Sequence, residues 1–239
     1  MKLTKLSSAL LAGGLLMVGV AAQAEEAASA FSTTGSVALT SNYQYRGIGQ
    51  TSGTAAVQGA ITLSHSSGLY ASVWSSSVSF AQGTEMDPSI GYSGKAGDVG
   101  YDVGFLQYAY PGARNPNNFR EVYGSVSYMG GKFGLAYSDD FFGETGKSLY
   151  TYLDYGTTVA DFGVFAHVGY NMLDDEFYND TSSLLTKDKY LDYKVAVNKA
   201  VAGVTLELAY VGTDLDEDEC FGGTNDCEGK GVFTVSKAF

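Results

Sequence analysis

Apolar and polar residues alternate with a period of two along most of this 239-residue chain. Val204, Leu206, Leu208 and Tyr210 are a clear case, because an extended strand places them on one face and Glu207 on the other. Such alternation predicts β-strands that each have one apolar and one polar face. Twelve strands are predicted, at residues 34–46, 55–64, 69–80, 87–93, 99–110, 119–129, 132–141, 148–158, 162–173, 189–199, 204–213 and 231–239.

The connections between these strands also alternate in length. Those after the even-numbered strands are short, for example Gly130-Gly131, whereas most of those after the odd-numbered strands are longer and more polar, for example residues 174–188 and 214–229. Outer-membrane barrels typically have short periplasmic turns and long external loops. The pattern therefore places both chain ends on the periplasmic side.

The last strand, residues 230–239, needs a partner because an unpaired strand leaves an open sheet edge. Pairing it with the first strand closes a barrel, and Phe233 and Phe239 are the residues predicted for this closure. Outer-membrane barrels resemble one another in ending on an aromatic residue, which implies the outer-membrane assembly machinery as a partner.

A soluble β-sandwich shows the same alternation as a membrane barrel, so the two architectures must be distinguished by where the charged residues lie. A membrane barrel keeps charge off its lipid-facing side and places aromatic residues near the membrane interfaces. Phe162, Val168 and Tyr170 share an uncharged face opposite His167. The expected fold class is all-β, a transmembrane antiparallel up-and-down barrel of about 12 strands.

The N-terminal segment has the pattern of a secretory signal peptide. Lys2 and Lys5 precede an apolar stretch rich in alanine and glycine, and Ala22-Gln23-Ala24 is a small-x-small cleavage pattern. The alternative, a transmembrane anchor, is disfavoured because the stretch is short. The predicted organisation is a signal peptide at 1–24, a short periplasmic tail at 25–33 and a barrel at 34–239.

Composition supports a barrel and excludes one class of partner. The chain has 31 glycines and 18 tyrosines but 3 prolines, which suits strands with two different faces. Removing the two lysines of the signal segment moves the formal net charge from -12 to about -14. Nucleic acid is therefore not an expected partner.

Residues 39–51 read LTSNYQYRGIGQT, and they are followed in order by VQG at 57–59, WSS at 74–76, YAYPG at 108–112 and EVYG at 121–124. This series resembles the TorF family of porins, the Gcw_chp-type uncharacterised outer-membrane proteins of proteobacteria. The resemblance covers nearly the whole mature chain, with departures at Gly49, Ala56 and Ser77. It implies a closed barrel and a channel, and it implies no catalytic residue.

The polar rows supply candidate pore-lining residues. They are Asn42, Gln44, Arg46, Gln58, Asp102, Asp154, His167, Asp192, Lys194 and Glu207. Mixed charges in one narrow cavity create a field that selects and orients polar solutes. The alternative is that these side chains pair with one another and fill the barrel, since twelve strands fall between a filled barrel and an open channel.

Arg46 is the most specific candidate among them. The pattern places it at the external end of the first strand, where its guanidinium can form a constriction with a lumen carboxylate such as Asp102. A structural salt bridge that anchors the first loop is the alternative.

The last external loop contains two cysteines and many acids. Cys220 and Cys227 are predicted to form a disulfide, since the periplasm that an exported chain crosses is oxidising. The nearby acids are interpreted as a solvated surface rather than a calcium site, because no EF-hand spacing is present. Weak metal candidates are Asp214, Asp216 and Asp218, and a similar acidic group in the preceding loop contains Asp174, Asp175, Glu176 and Asp180.

Enzymatic activity is not predicted. His65 is followed by Ser66 and Ser67, but this tripeptide lies in a short periplasmic turn, and His167 has no serine predicted beside it. No cofactor is predicted. The expected function is an outer-membrane porin of a Gram-negative bacterium that passes small polar solutes and contacts membrane lipids and lipopolysaccharide. The alternative is a non-conducting structural or adhesive barrel with acidic, cation-binding external loops.

Overall fold

The computed structural model describes residues 29–112, 117–174, 185, 187–221 and 223–239. The predicted signal peptide and Asp175, Glu176 and Asp180 lie outside these residues. The described chain forms fourteen strands: β1 (Phe31–Thr40), β2 (Gln44–Tyr45), β3 (Ile48–Gly49), β4 (Ala56–His65), β5 (Leu69–Ser77), β6 (Thr84–Ala96), β7 (Val99–Tyr108), β8 (Phe119–Tyr128), β9 (Gly131–Ser138), β10 (Ser148–Val159), β11 (Phe162–Leu173), β12 (Lys189–Val201), β13 (Val204–Thr213) and β14 (Lys230–Ala238). In this part of the chain no helix is long and apolar enough to cross a membrane.

Twelve of these strands close into one antiparallel barrel, which confirms the predicted fold class. β4 to β13 pair in sequence order, and β1 lies between β4 and β14. The closing register runs from Ser36↔Ala238 to Thr40↔Thr234. Gly35 and Phe239 extend it, because each donates its backbone N–H to the carbonyl oxygen of the other, at 2.8 and 3.0 Å.

The predicted extent of the first strand is wrong at both ends. β1 begins at Phe31, inside the predicted tail, and it ends at Thr40 instead of continuing to Arg46. Beyond Thr40 the chain leaves the barrel wall, and β2 and β3 form a separate hairpin. Arg46 and Gly47 are the two turn residues of this hairpin, both with positive φ (45° and 79°), as expected for a two-residue type I′ turn.

The two faces of the wall differ as the alternation predicts. Outward residues such as Leu39, Val57, Leu208 and Phe233 are about half exposed, whereas inward residues are mostly small or polar. The outward set forms a continuous apolar surface of the kind that lipid requires.

Tyrosine rings lie against glycines of neighbouring strands on the inner wall. A Cβ on Gly134 would come 2.2 Å from the ring of Tyr152, and a Cβ on Gly169 would come equally close to the hydroxyl oxygen of Tyr150. Gly104 faces Tyr123 in the same way, at 2.4 Å. Glycine lets the rings lie in these positions, because any larger residue would displace them.

The two ends of the barrel differ in exposure. Short connections at 66–68, 97–98, 129–130, 160–161 and 202–203 lie at the end that also contains Phe31 and Phe239, here called the turn end. Inward residues near it, such as Tyr70 and Asp102, are partly exposed. Inward residues toward the opposite end, here called the loop end, are buried, for example Tyr108 and Tyr190. The lumen is therefore closed at the loop end and accessible from the turn end.

Candidate functional site

The barrel encloses a cavity of about 230 Å³. All ten residues proposed from the sequence as pore-lining candidates line it: Asn42, Gln44, Arg46, Gln58, Asp102, Asp154, His167, Asp192, Lys194 and Glu207. Three further charged residues, Asp87, Glu121 and Lys132, also line the cavity and were missed. Alternation could have found Glu121, because it shares the inward face of β8 with Phe119 and Tyr123.

Arg46 forms a buried ion pair with the barrel wall. Its Nη2 lies 2.5 Å from Oε1 of Glu121 on β8, and the two side chains are 7% and 1% exposed. The hydroxyl of Tyr108 donates to the other carboxylate oxygen of Glu121 at 3.2 Å. The guanidinium carbon also lies 4.1 Å from the ring centroid of Tyr150. These contacts offset much of the cost of burying the charge pair, although Nη1 of Arg46 is buried without a hydrogen-bond partner among the described residues.

The lumen carboxylate that pairs with Arg46 is Glu121, and not Asp102, which was given as an example from the sequence. Oδ1 of Asp102 instead accepts a hydrogen bond from the hydroxyl of Tyr70 at 2.9 Å. The tight turn directs Arg46 toward β8 and β10, and Asp102 lies on β7 near the turn end, so the two side chains are at different depths in the barrel.

Residues 41–55, here called the plug segment, fold into the lumen at the loop end. Within the segment, the hydroxyl of Thr51 donates to the side-chain oxygen of Asn42 at 2.8 Å. The hydroxyl of Tyr43 donates to Oε1 of Glu85 on β6 at 3.1 Å, which attaches the segment to the wall on a second side. Ile48 packs into a buried cluster that includes the cysteines of the last loop. The plug segment is thus held by β6, by β8 and by a loop.

A second network surrounds His167 on β11. Its Nδ1 lies 2.6 Å from Oδ1 of Asp154 and its Nε2 lies 2.9 Å from Oδ1 of Asp192. The hydroxyl of Tyr150 is 2.8 Å from the same Nε2, and the side-chain amide of Asn171 donates to Oδ2 of Asp192 at 2.9 Å. Tyr150 therefore links this network to the guanidinium of Arg46.

Charge is unevenly distributed around the cavity. Among the described lining residues, six are carboxylates and three are permanent cations. They are Asp87, Asp102, Glu121, Asp154, Asp192 and Glu207, against Arg46, Lys132 and Lys194. The lining residues of β14, β1, β4 and β5 are uncharged, for example Thr234, Ser36, Gln58 and Trp74. The cavity therefore has one charged wall and one neutral wall, with a net acidic character.

The last loop contains the Cys220–Cys227 disulfide, with both cysteines at most 1% exposed. The three weak metal candidates do not converge. Oδ1 of Asp214 accepts the backbone N–H of Leu191 at 2.7 Å, and the backbone N–H of Asp216 donates to Glu219 at 2.9 Å. No group of three metal-ligating side chains occurs in the described part of the chain.

Lys187 and Glu219 join two loops at the loop end. The Nζ of Lys187 lies 2.7 Å from Oε2 of Glu219, and this hydrogen bond lowers the pKa of the Glu219 carboxyl below its ordinary value. The pair stabilises the arrangement of the loops above the plug segment.

The histidine and serine of the first turn form a local contact. Nδ1 of His65 lies 2.8 Å from Oγ of Ser67, and the His65 ring packs against Phe31. In the described residues no carboxylate hydrogen-bonds to His65, so a hydrolytic triad is not assembled there.

Comparison with known proteins gives a fold and a family. The fold is similar to the KdgM porin (11% identity, 86% of this chain and 98% of that chain, TM-score 0.53) and to the NanC porin (13% identity, 87% and 98%, TM-score 0.52). It is also similar to the COG4313 outer membrane channel from Pseudomonas putida F1 (13% identity, 92% and 100%, TM-score 0.50). A family model described as "Bacterial protein of unknown function (Gcw_chp)" matches residues 24–239. Among curated protein sequences none matches this chain.

Proposed function

Since the chain belongs to the Gcw_chp family of bacterial proteins, whose function is unknown, we propose from its site that it is an outer-membrane channel of the porin class. It passes small polar solutes and is gated at the loop end by the plug segment. The observation that carries the proposal is the acidic cavity inside a closed barrel whose exterior is apolar. The family match over residues 24–239 confirms the Gcw_chp resemblance, whereas the TorF name stays a prediction.

Location in the outer membrane of a Gram-negative bacterium is part of the proposal. It is supported by the apolar outer surface and by the similarity of the fold to proteins described as porins and an outer membrane channel. The predicted signal peptide and the terminal aromatic residue agree with export and with recognition by the assembly machinery. Membrane lipids and lipopolysaccharide are the proposed surroundings of the wall and the loops.

The cavity favours cations over anions. Six lining carboxyl groups outnumber Arg46, Lys132, Lys194 and the imidazole of His167, so the lumen keeps a net acidic character that attracts positive charge. The ten candidates identified by alternation, together with Asp87, Glu121 and Lys132, are the proposed pore lining.

The plug segment explains how such a channel can also be closed. Arg46 and Tyr43 attach it to acids on two different strands, and both contacts are buried. Conduction requires that these contacts break or that the segment shifts within the lumen. A gated channel therefore agrees with the closed loop end better than a permanently open pore.

A non-conducting structural barrel is the second candidate, and the closed loop end is the observation that favours it. Planar bilayer recordings of the refolded mature protein separate the two. The channel predicts discrete current steps with cation preference, and liposomes that contain the protein should swell in small sugars but not in large ones. Liposomes that never swell and bilayers without current steps, even after Glu121→Gln weakens the plug, would leave only the structural barrel.

A further inference from the structure

Lys132 is a buried lumen cation with no direct counter-charge among the described residues. It lies near the start of β9, lines the cavity and is 9% exposed. Its Nζ lies 5.3 Å from the ring centroid of Tyr152, and no described residue forms an ion pair or hydrogen bond with it. Arg46 and Lys194, in contrast, form ion pairs with Glu121 and Glu207. Since no described side chain accepts its hydrogen bonds, the Lys132 ammonium group is left to water or to a solute in the cavity.

Two carboxylates face the same space. Asp154 is the cross-strand neighbour of Lys132 on β10, and Asp102 lies on β7. Both act electrostatically on the ammonium group but remain outside ion-pair distance of it. Each already uses Oδ1 in a hydrogen bond, Asp154 with His167 and Asp102 with Tyr70. One positive group and two negative groups thus line one space without touching.

The composition of this space defines the ligand that it accepts. A simple anion would meet repulsion from Asp102 and Asp154, and a simple cation would meet repulsion from Lys132. A small molecule with one charge of each sign satisfies both at once, and charge-assisted hydrogen bonds of this kind are the strong ones. The aromatic rings of Tyr123 and Tyr152 line the same cavity.

We propose that Lys132, Asp102 and Asp154 form a binding site for small zwitterions of the α-amino acid class. The carboxylate of the ligand accepts hydrogen bonds from Nζ of Lys132, and its ammonium group donates to Asp102 and Asp154. The ligand enters from the turn end, where Asp102 and Tyr70 are partly exposed. The site deepens the proposed channel function and rests on it, since it assigns a solute class to the channel, but binding can be measured without conduction.

Isothermal titration calorimetry on the detergent-solubilised, refolded mature protein tests the site. The probes are glycine, which carries both charges, acetate, which carries only the negative charge, and methylamine, which carries only the positive charge. We expect glycine to bind more tightly than either of the others. Lys132→Gln should weaken glycine binding about tenfold or more, which corresponds to one charge-assisted hydrogen bond. Asp102→Asn should weaken glycine binding and leave acetate binding no weaker.

Lys199→Gln is the matched control. Lys199 lies on β12 near the turn end, outside the cavity lining, with its Nζ 4.5 Å from the ring centroid of Phe162, so the substitution removes the same charge and a similar ring contact. It should leave glycine binding unchanged. If Lys132→Gln does not fold, as judged by heat-modifiable migration, Lys132→Arg keeps the charge and should retain binding, and Asp102→Asn then decides.

Three results overturn the proposed site, and a fourth overturns only the channel. Equal glycine affinity of wild type and Lys132→Gln removes the role of Lys132, and acetate or methylamine binding as tight as glycine removes the zwitterion class. Current steps without glycine binding would refute this site and leave the channel. Glycine binding without current steps would refute the channel and leave the site.

Discussion

Arg46 and Glu121 are separated by 75 positions in the chain, yet their charged atoms are in direct contact inside the barrel, where both side chains are almost fully buried. Arg46 belongs to the plug segment and Glu121 belongs to the wall, so this one contact fastens the plug segment to the barrel. Buried pairs of this kind are specific because either charge alone is costly in the same place.

Substitution of Glu121 by Gln should weaken the attachment of the plug. The change leaves the guanidinium of Arg46 buried without a counter-charge, at a cost of about 3–5 kcal/mol. We expect more frequent or larger current steps in planar bilayers than for wild type. Arg120→Gln is the control, because the neighbouring Arg120 pairs with Asp139 on the surface, where both side chains are more than half exposed. Identical currents for wild type and Glu121→Gln would contradict the gating role of this pair.

Neutralising one lining acid should reduce cation preference. Glu207 lines the cavity on β13, where its Oε1 lies 2.7 Å from Nζ of Lys194. Glu207→Gln keeps the shape of the side chain and removes one negative charge from the lumen, so the reversal potential in a KCl gradient should move toward zero. Asp98→Asn, in the exposed turn between β6 and β7, should leave the reversal potential unchanged. An equal shift in both variants would mean that general surface charge, and not the lining, sets selectivity.

Reduction of the Cys220–Cys227 disulfide should loosen the loop end and leave the barrel intact. The bridge closes a short loop, for which the chain-entropy model gives about 2.5 kcal/mol. Both cysteines pack in the cluster that contains Ile48 of the plug segment, so loss of the bridge should accelerate proteolysis in residues 214–229 and in the plug. The comparison is between oxidised protein, reduced protein and the Cys220→Ser/Cys227→Ser variant. Equal cleavage rates in all three would show that the bridge does not stabilise these contacts.

Deletion of Phe239 should impair assembly more than Lys237→Ala does. Phe239 makes two backbone hydrogen bonds with Gly35, and its ring covers that glycine, whereas Lys237 faces outward beside Val37. The measurement is the amount of heat-modifiable folded protein in membranes. Phe239→Ala, which keeps the backbone contacts, should give an intermediate amount. Similar amounts for the deletion and for Lys237→Ala would count against a closing role for the last residue.

The barrel could be predicted because lipid imposes the same rule on every strand. Rows such as Leu206, Leu208 and Tyr210 must be apolar wherever they face outward, so alternation marks the strands one by one. The plug segment was missed because alternation continues through Tyr43 and Tyr45, although these residues have left the wall. The sequence signal for the hairpin turn is Arg46-Gly47, a pair that suits a two-residue turn. A search for period-two alternation does not detect it.

The partners of the lining residues could not be predicted from the sequence. Alternation says which side chains point inward, but the choice of Glu121 over Asp102 as the partner of Arg46 depends on how deep each strand places its residues. Depth follows from the register between all neighbouring strands. A shift of two residues in one ladder keeps every side chain on its face and changes every partner.

The number of strands sets the diameter of the barrel, but the contacts between glycines and tyrosines affect how much of the lumen the rings fill. Tyr123 and Tyr152 lie flat along the wall only because the residues beneath them, Gly104 and Gly134, have no side chain. A Cβ at Gly104 would lie 2.4 Å from Tyr123 and one at Gly134 would lie 2.2 Å from Tyr152, so an alanine at either position would force the ring to move, with no change in charge. The free width of the lumen thus depends on glycines that place no side chain in it. Single methyl groups at these positions can change that width without changing the charge of the lining.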